Sequence, residues 1–336
     1  NPLPIALGGL IAMAVGIGIG RFVYTPILPS MIAEMGLSKS ISGLIASANF
    51  VGYLLGALLA TRASLPGPAR AWLPGALVVS AATTTAMGLT SSVPCFIALR
   101  LIGGIASALA LILSSAMVLQ RVTEARRPGL ASLHFAGVGV GIAISAAVVA
   151  VLLAMGHGST AMWSAVGAVS LAGAVAVALL MPPPAAPPLA AAARTNDAQT
   201  GALRRMVAAY GLFGFGYVIT ATFLVAIVRE TPSIRALEPV IWILVGLGAA
   251  PSIALWSMLG RRIGTARAFA VAALVEAAAV LASVFWANPV GICLSAILFG
   301  GTFMGLTALG LQRARELATG DPRQAMAAMT SAFGAG

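Results

Sequence analysis

The sequence predicts an all-α fold embedded in a lipid bilayer, and three observations carry that reading. Sixty per cent of the 336 residues are hydrophobic and only 8% are charged, with a mean hydropathy of +1.02; a water-soluble core of this size cannot hide so much apolar surface. The apolar residues fall in repeated runs long enough to cross the roughly 30 Å of hydrocarbon that about 20 residues of helix span. Basic residues collect in short clusters between those runs, at alternate ends.

Taken in order, ten runs qualify as spans: 4–33, 40–61, 71–90, 94–119, 129–154, 159–181, 206–228, 239–259, 267–287 and 289–312. An eleventh begins near Ala325. The first span carries Pro26 and Pro29, which remove helix hydrogen bonds and predict a bend. Residues 182–205, PPPAAPPLAAAARTNDAQTGALRR, form the one long stretch of linker composition. They divide the chain into a six-helix bundle at 1–181 and a second bundle at 206–336, with four complete helices and the start of another. This is the layout of a six-plus-six transporter. The chain begins at Asn1 and ends as a helix is starting, so the expectation is a piece of a longer protein whose last two helices are absent. No cleavable signal peptide is visible, because the first apolar run continues past Arg21.

Charge sets the orientation. With the amino terminus in the cytoplasm, Arg62, Arg70, Arg121, Arg126, Arg127, Arg194, Arg204, Arg205, Arg261, Arg262, Arg267, Arg313, Arg315 and Arg323 fall inside, against Lys39, Arg229 and Arg235 outside. One missed helix would scramble that asymmetry, so it supports the span count independently. The net charge of +11 resides in these clusters rather than on an aromatic-interleaved face, which argues against nucleic acid.

Small residues are abundant, with 38 Gly, as close helix contact in a bilayer requires. The halves share weak internal similarity. GIGRFVYTPIL of the first span aligns with GFGYVITATFL of the seventh. The fourth and tenth spans each hold a Gly pair, Gly103 and Gly104 against Gly300 and Gly301, and end in LQR.

These features are similar to those of the major facilitator superfamily. The strings GIGRFVYTPILPSM and GLIASANFVGYLLGALLA resemble its YbfB/YjiJ branch. The resemblance implies two six-helix bundles around a central cavity and alternating access. Leu99, Arg100, Gly104 and Ala108 match the superfamily's fourth-helix pattern, which the resemblance links to proton coupling. The loop after the second span keeps Gly56 and Arg62 but has Thr61 where the superfamily places Asp. Its counterpart supplies Arg261, Arg262 and Gly264 without an acid. The fifth span, HFAGVGVGIAIS, resembles the Gly-rich antiporter motif without its Pro, which adds modest weight to efflux.

A charge within a span must face a cavity or a partner, since burial in hydrocarbon costs on the order of 3 kcal/mol even on insertion scales. Arg21, beside the expected break, is a candidate for binding an anionic group; the alternative is that it snorkels or pairs with a helix end. Arg100 is a candidate for coupling. Glu276 is the one acid well inside a span and a chemically reasonable proton carrier, against a purely structural hydrogen bond to a neighbouring helix. His134 is a further candidate for the substrate site, as a residue type whose ordinary titration lies in the physiological range, against a structural bond near the inner interface. Tyr24, Asn49, Tyr53 and Tyr217 supply neutral hydrogen-bonding groups to the substrate site. Trp242 and Trp256 read as membrane-interface anchors.

The leading functional expectation is a proton-coupled exporter of a small organic solute in the bacterial inner membrane, acting as a monomer and without a cofactor. Organic-anion uptake is the alternative. A membrane enzyme finds no support, since His134 and His157 are the two His residues and neither sits in a metal or nucleophile motif. A non-transporting sensor on the same scaffold ranks below both transport readings. A nucleotide-binding GxxxxGK[ST] loop is missing from this polypeptide.

Overall fold

The computed structural model describes residues 2–60, 69–127, 129–181, 201–318 and 322–335. Thr61, Arg62, Arg194 and linker positions 182–200 lie outside the described residues.

The helices are α1 (Pro2–Met13), α2 (Tyr24–Met35), α3 (Lys39–Ala60), α4 (Ala69–Ala86), α5 (Val93–Glu124), α6 (Gly129–Ala154), α7 (Ser159–Leu180), α8 (Gly201–Glu230), α9 (Glu238–Ile263), α10 (Thr265–Phe285), α11 (Pro289–Leu317) and α12 (Pro322–Ala335). A π-helical stretch, Ala14–Ile19, joins α1 towards α2. Among the described residues ten helical segments are long and apolar enough to cross a membrane, in the order the sequence predicts. Helix α8 starts at Gly201, so positions 201–205 of the expected linker are helix instead; Ala202, Leu203 and Met206 extend the apolar pattern backwards, and Leu203 and Met206 are buried. At the ends, local chemistry is legible. Gly36 closes α2 at φ 66°, its N–H bonded to Ile32 O. Asn288 caps α11 by accepting from Gly291 N at 2.9 Å, with Pro289 in the first turn.

The bend in the first span lies upstream of the prolines. Gly20 N donates to Val15 O five residues back, and regular α-helix resumes only at Tyr24. Pro26 falls in the first turn of α2, where the missing N–H costs least, and Pro29 lies within α2. The π-helical stretch supplies the break.

Packing repeats between the halves. In the first, α3 packs on α5, α4 on α5 and α1 on α6; in the second, α9 packs on α11, α10 on α11 and α8 on α12. Each second-half pair is the first-half pair advanced by six spans, which is the internal repeat that the sequence showed only faintly. The halves meet through α6 and α9, through α3 and α12, and through α2 and α8. The first two contacts are again related by the six-span shift.

The α6–α9 seam depends on two glycines. A Cβ on Gly139 would lie 2.2 Å from Ala250 N, and one on Gly246 would lie 2.5 Å from Ala143 N. Backbone approaches backbone there, as small-residue interfaces in membranes allow. Outward, large apolar side chains such as Leu179 (83% exposed), Phe285 (82%) and Leu212 (73%) face the surroundings, as lipid requires.

Candidate functional site

The π-helical stretch and the turn that follows it present backbone carbonyls to neighbouring helices. Helix α5 supplies their partners. Arg100 donates from Nη1 to Gly20 O at 3.1 Å and from Nη2 to Arg21 O at 3.0 Å, while Ser107 Oγ donates to Gly16 O at 2.6 Å. Arg100 is itself buried and lies over the Tyr24 ring. Asn49 Nδ2 donates to Arg100 O at 3.1 Å, and Tyr24 OH donates to Ser42 O at 3.0 Å. Arg100, Asn49 and Tyr24 thus form one framework that holds the break. The small residues of the Arg100 motif serve the same seam: a Cβ on Gly104 would meet Asn49 O at 2.1 Å, and one on Gly56 would meet Ala108 Cβ at 2.9 Å. Their spacing of four places them on the face of α5 that packs against α3.

Arg21, carried by that break, is 7% exposed. Its guanidinium carbon lies 4.2 Å from the Phe50 ring centroid and 4.7 Å from that of Tyr53, with Phe22 and Phe333 each at 5.8 Å. These cation–π contacts offset part of the desolvation, but among the described residues Nε and Nη2 have no hydrogen-bond partner. Among the described residues no carboxylate lies within ion-pair distance of Arg21. Two N–H groups on one edge of a buried cation are left unmatched.

Beside this cation stands a wall of rings. Tyr217 stacks on Phe299 (centroids 6.1 Å apart, planes 14° apart), Phe303 (5.7 Å, 12°) and Phe333 (5.6 Å, 28°). Phe213 and Tyr210 extend it, and Phe22 and Phe50 meet Tyr217 edge-on from the first half. The expected residues Arg21, Tyr53 and Tyr217 therefore converge.

The other expected residues lie elsewhere in the fold. His134 is fully buried, its Nε2 3.0 Å from Ser115 Oγ and its ring against Phe135 and Gly9; none of these belongs to the aromatic set. Glu276 on α10 is 6% exposed. Its Oε2 is hydrogen-bonded to Thr302 Oγ1 of α11, and among the described residues its Oε1 has no partner. Thr302 precedes Phe303, so the carboxyl backs onto the helix that carries part of the ring wall.

Trp242 departs from expectation. It is 1% exposed in the core shared by both halves rather than turned outward as an anchor, because α9 is held between α6 and α11. Trp256 Nε1 donates to Gly301 O at 2.6 Å across the α9–α11 seam. Sequence reasoning passed over Phe22, Phe50, Phe299, Phe303 and Phe333. A usable signal was present: Phe299 and Phe303, like Phe213 and Tyr217, stand four apart and share a helix face. Among the described residues no three His, Cys, Asp or Glu gather as a metal site.

The architecture has known counterparts. The xylose transporter XylE from E. coli, solved in an inward-open conformation, superposes with a TM-score of 0.73 at 17% identity, over 99% of this chain and 87% of that one. A D-xylose-proton symporter gives 0.70 at 16%, over 99% and 87%. The nucleoside transporter NupG gives 0.67 at 16%, over 99% and 88%. At these identities the likeness is one of fold. No curated relative matches the sequence. The family model described as "Uncharacterised MFS-type transporter YbfB" matches residues 13–336. A chain matched over nearly its whole length, with the superfamily's helix packing, is a transporter of that family: it belongs to the YbfB-like branch of the major facilitator superfamily.

Proposed function

We propose that the protein is a proton-coupled secondary transporter that exports a small organic solute across the bacterial inner membrane, with Arg21 at the substrate site and Glu276 carrying the proton. The observation that supports the reading most is Arg21. A guanidinium buried at the seam of both halves, with two N–H groups unmatched, is costly unless something supplies the complement during the cycle. Arg100 acts through the backbone, by holding the break on which Arg21 sits.

Glu276 is suited to a proton because Thr302 serves it in either state. The Thr302 hydroxyl also lies 2.7 Å from Leu298 O. When the carboxyl is protonated it donates to Thr302 Oγ1, whose own proton turns to Leu298 O. When it is ionised, Thr302 donates to it instead.

The orientation follows the basic residues, with the amino terminus inside. The three exceptions are each engaged: Lys39 Nζ lies 2.9 Å from Glu230, Arg229 lies 3.5 Å from Glu238, and Arg235 Nε donates to Arg229 O at 2.8 Å. On that orientation the outer end is closed, since α2 meets α8 through Thr25 Oγ1 to Ala221 O and α3 meets α8 through Lys39 and Glu230. Alternating access requires these contacts to part. The protein works as a monomer driven by the proton gradient.

The test is proton flux into proteoliposomes holding the protein, read by an internal pH dye as pooled metabolites are added to an imposed gradient. A pool that dissipates the gradient, and fails to do so with Glu276→Gln, supports the reading. Labelled solute exchange with no proton movement would replace it by uniport or exchange. The unmatched Arg21 also favours a second reading, organic-anion uptake; accumulation in right-side-out vesicles separates import from export.

A further inference from the structure

We infer that the solute taken by this site is a monoanionic carboxylate carried on a flat aromatic ring, its carboxylate on the Nε and Nη2 edge of Arg21 and its ring against the Tyr217 wall. This rests on the transport reading above and names its substrate class.

The charge and the fork come from Arg21. Its contacts with Phe50 and Tyr53 are to ring faces, and the donors left unmatched are Nε–H and Nη2–H. Those two groups point along one edge of a planar guanidinium, the geometry that receives the two coplanar oxygens of a carboxylate. A single negative charge is what the surroundings balance. Arg100, the other buried cation, has both terminal nitrogens committed to carbonyls and, among the described residues, keeps only Nε unmatched, so it presents no second fork. A phosphate dianion would find one fork and no second one. A neutral or cationic solute would leave the guanidinium as unmatched as before.

The ring preference comes from the wall. Tyr217 lies close to parallel with Phe299 and Phe303, at interplanar angles of 14° and 12°. These faces, drawn from α8, α11 and α12, pack on one another, with Tyr217, Phe299 and Phe303 at 3%, 1% and 3% exposed. A solute meets them as the halves part, and there an offset-stacked ring gains more than a puckered aliphatic one. Six of the twelve Phe residues, at 22, 50, 213, 299, 303 and 333, are gathered here. Three of them, Phe22, Phe50 and Phe333, have ring centroids 5.8, 4.2 and 5.8 Å from the Arg21 guanidinium carbon, so the ring cluster and the cation share one site.

The experiment is equilibrium binding to the purified protein in detergent, using 2-naphthoate, benzoate, cyclohexanecarboxylate, benzamide and benzylamine as probes. The expected order is 2-naphthoate, then benzoate, then cyclohexanecarboxylate, with benzamide and benzylamine unbound. Arg21→Gln should weaken 2-naphthoate at least roughly tenfold, as loss of charge-assisted hydrogen bonds implies. Tyr217→Leu should erase the preference for 2-naphthoate over cyclohexanecarboxylate, and Tyr217→Phe should keep it. The wild-type probe series decides the class even if a variant misfolds. Equal binding of cyclohexanecarboxylate would overturn the ring, and equal binding of benzamide would overturn the carboxylate. Binding by none of the three acids overturns the whole assignment. The transport reading fails separately, only when no pooled solute exchanges across proteoliposomes.

Discussion

Replacing Arg100 by Met distinguishes a residue that holds the backbone from one that relays charge. The side chain makes two charge-assisted hydrogen bonds, at 3.1 and 3.0 Å, to the carbonyls of Gly20 and Arg21. Bonds of this kind contribute about 1.5–3 kcal/mol each, so losing both removes about 3–6 kcal/mol. Against that, Met spares the desolvation of a buried cation, which returns a few kcal/mol. The net expectation is a loss of about 2–3 kcal/mol in unfolding free energy. SDS titration in mixed micelles measures it directly. Arg100→Lys, whose ammonium is a point charge without the fork, should fall between wild type and Met. Solute affinity should follow the same order, because the carbonyl that Arg100 holds belongs to Arg21. If Arg100→Met unfolds at the wild-type SDS fraction while proton flux disappears, the holding role is wrong and a direct coupling role is right.

Other substitutions test other links. Glu276→Gln keeps a hydrogen bond to Thr302 while removing the titratable group, so the protein should stay folded by size-exclusion chromatography yet lose solute-driven proton flux. Gly139→Leu places a side chain where a Cβ alone would lie 2.2 Å from Ala250 N. The halves must separate, and a stability loss of about 3 kcal/mol or more is expected in the same SDS titration, whereas Gly216→Ala, with nothing within 4 Å, should be silent. The Lys39–Glu230 pair is 74% and 53% exposed, so a double-mutant cycle should return a coupling below about 1 kcal/mol that fades with salt. Its charge reversal at Glu230→Lys should instead speed labelling of Thr25→Cys by an impermeant outer-side maleimide, since α3 and α8 then repel beside the α2–α8 contact. An unchanged labelling rate would show that the ion pair plays no part in closure.

Much of the architecture was legible in the sequence because the bilayer imposes a simple rule. A span must be apolar for its full length, and the cost of carrying Arg across the membrane leaves a one-dimensional record of topology. The span order follows from that rule. Boundaries set by soluble-side packing do not, which is why α8 begins at Gly201 rather than 206. The prolines at 26 and 29 announced a bend in the right span, but its position belongs to the π-helical stretch upstream. That stretch is stabilised by Arg100 and Ser107 from another helix, about eighty to ninety residues away in sequence.

The candidate site divides in the same way. Arg21 stood out because a charge in an apolar run has few explanations, and that argument needs no neighbours. His134 stood out for the same kind of reason, yet it is packed between Ser115, Phe135 and Gly9. Its chemistry was visible and its address was not. Phe50 and Phe333 had no such mark, since a Phe in an apolar helix is ordinary until two helices, α3 and α12, bring it to one cation.

The sequence by itself determined an all-α membrane protein, its span order, its charge asymmetry and the presence of intramembrane charges needing partners. Each of these depends on a residue and its near neighbours along one helix. Tertiary structure alone decided that Arg100 would be committed to carbonyls and that Arg21 would be left with two unmatched donors beside stacked rings. Hydrogen bonds and ring contacts act over a few ångströms in space, and the residues that make them here are scattered along the chain from Arg21 to Phe333.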